Sequence, residues 1–136
     1  MCIFSNLSVI SAEYIRSDES GVEGNEVELV PDATFRTGLM FGTGSLSVSY
    51  QFSYTGAHFS DASNALRTPT AIEGLIPSYH VMDVSAEYAF DRYRLEAGVN
   101  NLTDHAYFTR RATGYPGPGI IPASGRSLYV GAGITL

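Results

Sequence analysis

Cysteine is almost missing from this chain of 136 residues; Cys2 is the only one. No internal disulfide can form, and no cysteine-based zinc cluster can be built. Charge is also scarce, at 16% of residues against roughly 25% in ordinary soluble domains. Lys and Arg number 8 against 14 Asp and Glu, for a net charge of −6, which argues against the basic face that nucleic-acid binding requires. No apolar run approaches the roughly 18 residues of a membrane helix. The amino terminus has neither a basic n-region nor a long apolar h-region, so no secretory signal peptide is legible there.

What the chain has is alternation. From Leu46 to Thr55, Leu46, Val48, Tyr50, Phe52 and Tyr54 fall on one face. Ser47, Ser49, Gln51, Ser53 and Thr55 fall on the other. A period of two is the mark of a strand with unlike faces, and the length suits the roughly 9–11 residues of a tilted strand crossing a bilayer. The pattern returns over His80 to Phe90, Tyr93 to Asn101 and Arg126 to Leu136, with a shorter version over Thr34 to Phe41. The first strand, about Ile3 to Ile15, is blurred. Leu7 and Val9 share a phase that Ile10 and Tyr14 leave, and a bulge would account for the slip.

The connections alternate too. Gly42-Thr43-Gly44 and Asp91-Arg92 are tight turns, the first supplied with glycines for positive φ. Arg16 to Asp32, Gly56 to Ser78 and Leu102 to Gly125 are long. Short and long in strict succession is the asymmetry of an outer-membrane barrel, with tight periplasmic turns and long extracellular loops. In a compact soluble domain, connections of that length would count against the strands themselves. Aromatics gather near strand ends, at Phe41, Tyr54, Phe90, Tyr93 and Tyr107, as barrel girdles do. The last strand ends the sequence on an apolar residue. Gly131, Ile134 and Leu136 meet the Gly-x-x-apolar-x-apolar pattern that barrel assembly machinery reads, although the final residue is usually Phe and Val130 stands where a polar residue is usual. The fold class is therefore all-β, an antiparallel transmembrane barrel segment of about six strands. A soluble β-sandwich binding module, a passive porin-like protein and a small outer-membrane barrel enzyme are the alternatives.

Particular segments resemble the β-barrel of TonB-dependent outer-membrane receptors. Val99-Asn-Asn-Leu-Thr-Asp-His-Ala-Tyr107 is similar to the motif opening the family's last external loop, with Thr103 where Phe is usual. Gly125-Arg-Ser-Leu-Tyr129 is similar to the opening of its last strand, and Asn25-Glu-Val-Glu-Leu-Val-Pro31 before Thr34-Phe-Arg36 to its pre-strand proline motif. The resemblance spans nearly the whole chain. It implies the last six strands of a barrel of about 22, in the bacterial cell outer membrane, with residues 1–136 forming the carboxyl-terminal part of the barrel domain and the plug domain and signal peptide lying outside. It implies uptake of ferric siderophores or a similar scarce nutrient, energised by TonB through that plug, and inactivity of this piece alone. Tyr107-Phe-Thr-Arg-Arg111 looks most like receptors of the ferric dicitrate type.

Candidate site residues follow. Arg110 and Arg111 are adjacent cations in an acidic chain, with Tyr107, Phe108 and Tyr115 nearby. Charge-assisted hydrogen bonds to an anionic ferric chelate fit them; the rival is pairing with Asp104 or Glu73 that orders the loop. Arg126 takes the lipid-side phase at the outer end of its strand, where a guanidinium suits lipopolysaccharide phosphates. Outer-membrane lipid completes the expected partners. His58, His80 and His105 stand far apart without ligand spacing, so no metal site is expected. The acids Asp18, Glu19, Glu23, Glu26 and Glu28 suit a solvated external loop better than calcium. Asp83, Glu87, Arg94 and Glu96 suit a lumenal ion-pair ladder better than catalysis. Serines lack a partnering His and acid, so no catalytic residue and no cofactor is assigned.

Overall fold

The computed structural model describes residues 1–69, 71–112, 114 and 118–135. Six strands form one antiparallel sheet: β1 (Cys2–Val9), β2 (Ala33–Thr43), β3 (Leu46–Thr55), β6 (Tyr79–Phe90), β7 (Tyr93–Asn100) and β10 (Ser127–Ile134), in that spatial order. Every neighbour in the sheet is thus the next long strand in sequence. Two short ribbons lie in the connections: β4 (His58–Phe59) with β5 (Leu75–Ile76), and β8 (Phe108–Ala112) with β9 (Gly119–Pro122). Among the described residues no second sheet covers the first, so the sandwich alternative is not the fold adopted.

The register carries the alternation across the sheet. Residues directly opposite share a face. The rows Phe41–Val48–Ala86–Ala97–Val130 and Leu39–Tyr50–Val84–Val99–Leu128 therefore join apolar positions from strand to strand. Ser49–Ser85–Gly98–Tyr129 runs along the other face, tied by a Ser49–Ser85 hydroxyl contact of 2.7 Å. Two glycines on this polar face admit an aromatic ring. Phe4 lies on Gly38 and Tyr129 on Gly98, where a Cβ would collide with either ring. An aromatic over a strand glycine replaces the packing that the missing side chain would have given.

Two sequence expectations need correction. The first tight turn is Gly44-Ser45, not Gly42-Thr43-Gly44. Gly42 and Thr43 are paired in β2, Thr43 faces Leu46, and Gly44 alone takes positive φ, at 54°. Pairing one residue further along preserves the in-phase rows. At the other tight turn, Asp91-Arg92, Asp91 takes φ 52°, a conformation that Asp tolerates better than most residues. β1 contains no bulge: its register with β2 is unbroken to Val9, and the phase is lost at Ile10 because the regular strand has ended. Pairing continues only as an isolated bridge, Glu13 with Glu26.

Packing is concentrated away from the sheet. Ile76 and Val22, at 0% and 4% exposure, are the buried apolar side chains among the described residues, and both lie in long connections. Leu128, by contrast, is 77% exposed on the apolar face. Those connections meet at one rim. Leu29 N–H donates to Phe59 O at 2.8 Å, and Asn25 Nδ2 donates to Ala62 O at 2.8 Å. Asn64 both accepts from Glu26 N–H (2.7 Å) and donates to Glu26 O (2.9 Å). First and second connections are thus one packed layer.

Candidate functional site

The third connection closes on Asn101, which is 3% exposed and takes φ 50°. Its Oδ1 accepts from His105 N–H at 2.9 Å, and its Nδ2 donates to the carbonyls of His105 (3.0 Å) and Ser124 (3.4 Å). Its own N–H donates to Asp83 Oδ1 at 2.9 Å. Asp104 Oδ1 accepts from Arg126 N–H at 2.8 Å. The two sequence motifs at either end of this connection are therefore halves of one clasp that brings both strand ends together.

Within the clasp, β8 pairs with β9 through a register shift between Phe108 and Arg110. Adjacent strand residues point to opposite faces, so the two arginines separate. Arg111 turns toward the second connection. It donates to Ala71 O (2.8 Å) and Leu75 O (2.9 Å), and its guanidinium carbon lies 5.2 Å from the Phe108 ring centroid. Its Nε is buried and has no partner among the described residues. Arg110 is exposed, and its side chain has no hydrogen bond or ion pair among those residues. Neither arginine pairs with Asp104 or Glu73; the loop-ordering partners are main-chain carbonyls.

Tyr107 stacks on Tyr79 at 4.6 Å between centroids. Burial raises its phenol pKa, and proximity to Tyr79 and Asp83 raises it further. His80 and His105, expected to be far apart, stack at 4.6 Å, because the clasp folds His105 back onto the end of β6. Phe52 stacks on His80 at 6.0 Å, and Phe35 lies tilted against Phe52 at 6.2 Å. His58 is buried and its Nδ1 is 3.0 Å from Gly56 O. No cluster of three or more metal-ligating side chains exists among the described residues.

In the second connection, Asp61 accepts from Ser63 N–H (3.0 Å), the Ser63 hydroxyl, Gly74 N–H (3.1 Å) and Ser60 Oγ (3.3 Å). Burial pushes its pKa up, but these donors outweigh burial and hold it below the usual carboxylate value. In the first connection, Tyr14 hydrogen bonds Glu28, which raises the phenol pKa. On the polar sheet face Arg94 Nε pairs with Glu87 Oε1 at 3.3 Å. That is one pair rather than a ladder, because Asp83 is taken by Asn101 and Glu96 sits opposite Glu87.

Of the remaining expected site residues, Gly131 and Ile134 lie in β10 opposite Glu96 and Tyr93. Arg126 is exposed at that strand's loop end. Tyr115 and Leu136 lie outside the described residues.

The family described as TonB dependent receptor-like, beta-barrel, matches residues 4–102. The chain belongs to that family. As part of a TonB-dependent receptor barrel it sits in the bacterial outer membrane, and its family is one of non-enzymatic transporters. No curated protein matches it in sequence. Among solved structures, the unliganded ferric citrate transporter FecA superposes with TM-score 0.86 at 22% identity, over 97% of this chain and 20% of FecA. The siderophore receptor PiuA from Acinetobacter baumannii gives TM-score 0.75 at 24% identity, over 96% and 18%. The ferric yersiniabactin uptake receptor FyuA from Yersinia pestis gives 0.74 at 23%, over 97% and 20%. This receptor segment thus spans about a fifth of the length of the receptors it resembles. Membership makes the apolar face the lipid face and the polar face the lumenal wall.

Proposed function

We propose that this segment forms the last six strands of a receptor for anionic ferric siderophores, with its long connections outside the cell and Arg110 as a ligand contact. TonB acts through a plug domain elsewhere in the receptor. The observation that carries the ligand reading is the division between the arginines. Arg111 is spent on two loop carbonyls, while the neighbouring Arg110 is unpaired among the described residues, in a chain of net charge −6. Phe108 and Tyr107 support the ribbon that presents Arg110, Arg111 fixes that ribbon to the second connection, and Tyr115 is assigned to the same ligand set. Arg126, in the lipid-side phase at the loop end of β10, is assigned to lipopolysaccharide phosphates. Gly131, Ile134 and Leu136 are assigned to recognition by the assembly machinery.

The test uses the full-length receptor. Arg110→Ala is expected to weaken binding of radiolabelled ferric chelates about tenfold or more, the worth of a charge-assisted contact, with normal surface expression. Arg111→Ala is expected to expose the third connection to protease. Unchanged affinity in Arg110→Ala removes the ligand role.

A further inference from the structure

A second cation is left without a partner, on the lumenal wall. Arg36 sits in β2 at a register shared with Asn6 of β1 and Ser53 of β3. One pair toward the loop rim, on the same face, Thr34 faces Thr55. One pair toward the turns, Phe4 lies flat on Gly38. Phe4, Asn6, Thr34, Arg36, Ser53 and Thr55 line a concavity of about 470 Å³. The ring on Gly38 makes its floor, and the missing Cβ keeps that floor low.

The other charges on this wall lie toward the tight turns or at the third connection, with Glu96 opposite Glu87. Arg94 pairs with Glu87, and Asp83 accepts from Asn101 N–H. Among the described residues Arg36 is the wall's one unpaired cation, and it is exposed. A guanidinium presents a planar fork that fits a carboxylate with two parallel hydrogen bonds. The hydroxyls of Thr34 and Thr55 and the amide of Asn6 can donate to the lone pairs that the fork leaves over, while the Ser53 hydroxyl donates to Val81 O at 3.4 Å.

We infer that Arg36, with Asn6, Thr34 and Thr55, forms a carboxylate-binding subsite on the lumenal wall for a carboxylate-bearing ferric chelate. The inference rests on the proposed function and adds the chemistry of the ligand to it. The subsite lies within the first turns of the sheet below the loop layer, so a chelate released by Arg110 meets Arg36 next.

The experiment measures equilibrium binding to the full-length receptor of radiolabelled ferric citrate and, in parallel, of a ferric trihydroxamate with net positive charge. Arg36→Gln is expected to weaken ferric citrate binding about tenfold or more and to flatten its salt dependence. Arg36→Lys should fall between the two, and hydroxamate binding should not weaken. Thr55→Val, which keeps the charge and the strand, should weaken ferric citrate binding severalfold and serves if Arg36→Gln fails to reach the surface. Wild-type binding of ferric citrate with no change in Arg36→Gln overturns the subsite and leaves the receptor reading intact. Wild-type binding of the cationic hydroxamate alone overturns the subsite and the anionic-ligand reading together. An Arg36→Gln receptor with unchanged affinity that admits a large antibiotic would assign Arg36 to seating the plug, and overturns the subsite too. A wild type that binds and takes up no ferric chelate removes the proposed function itself.

Discussion

Asn25, Asn64, Asn101 and Arg111 all spend their side chains on main-chain groups of another segment or of the turn they close. This explains how long connections of polar composition keep one shape. A loop cannot satisfy its own peptide groups as a strand does, and side-chain amides supply both donor and acceptor. Asp61 is the anionic version of the same device. Its pKa is lowered in the folded state, so its contribution is full above its ordinary value of 3.8 and is lost as pH falls through the lower folded value. Amide hydrogen exchange across residues 56–78 should therefore be slow and flat from pH 7 to about pH 4, after correction for intrinsic exchange, and protection should fall at lower pH. Asp61→Asn should remove that acid step. An unaltered step in the variant would place the titrating group elsewhere.

At the scale of elements, the long strands were legible because each has unlike faces, and a period of two survives any tertiary context that keeps one face in lipid and the other in the lumen. Leu46 to Thr55 was read at its observed limits. The ribbons β4–β5 and β8–β9 were not legible. Two to five residues are too few to show a period, and Leu75 and Ile76 are apolar on both faces because they sit inside the loop layer. Nor could the separation of Arg110 from Arg111 be read, since carbonyl acceptors leave no trace in side-chain identity. The His80–His105 stack escaped for a related reason. It follows from the Asn101 clasp, whose residues were visible as a motif while its closure was not. The face assignment has a direct check. Val48→Arg in the full-length receptor should cost up to about 2–4 kcal/mol, the figure for a cation at the bilayer midplane, read as a lowered denaturant midpoint. Ser49→Arg, one residue along on the lumenal face, should cost much less. Equal costs would reverse the reading of the faces.

For the whole molecule, the sheet and the loop layer divide the labour. The sheet contributes a curtain with two solvent- or lipid-facing surfaces and almost no core; the loops contribute the only fully buried apolar side chain among the described residues, Ile76. The three connections leave the same rim because they alternate with the two tight turns along an antiparallel sheet. The proposed function makes that rim the external one. An epitope inserted after Ser20, an exposed position in the first connection, should bind antibody on unpermeabilised cells. Labelling that appears only after the outer membrane is breached would invert the topology.

The strand order has a kinetic corollary. Each strand of the sheet pairs only with the one before and the one after it in sequence, and two of those pairings close through two-residue turns. Hairpin formation takes on the order of microseconds, and lengthening a loop adds little closure entropy. Within this sheet no pairing has to wait for a distant strand. The sheet can grow one hairpin at a time, each new strand offering its free N–H and C=O groups as the template for the next.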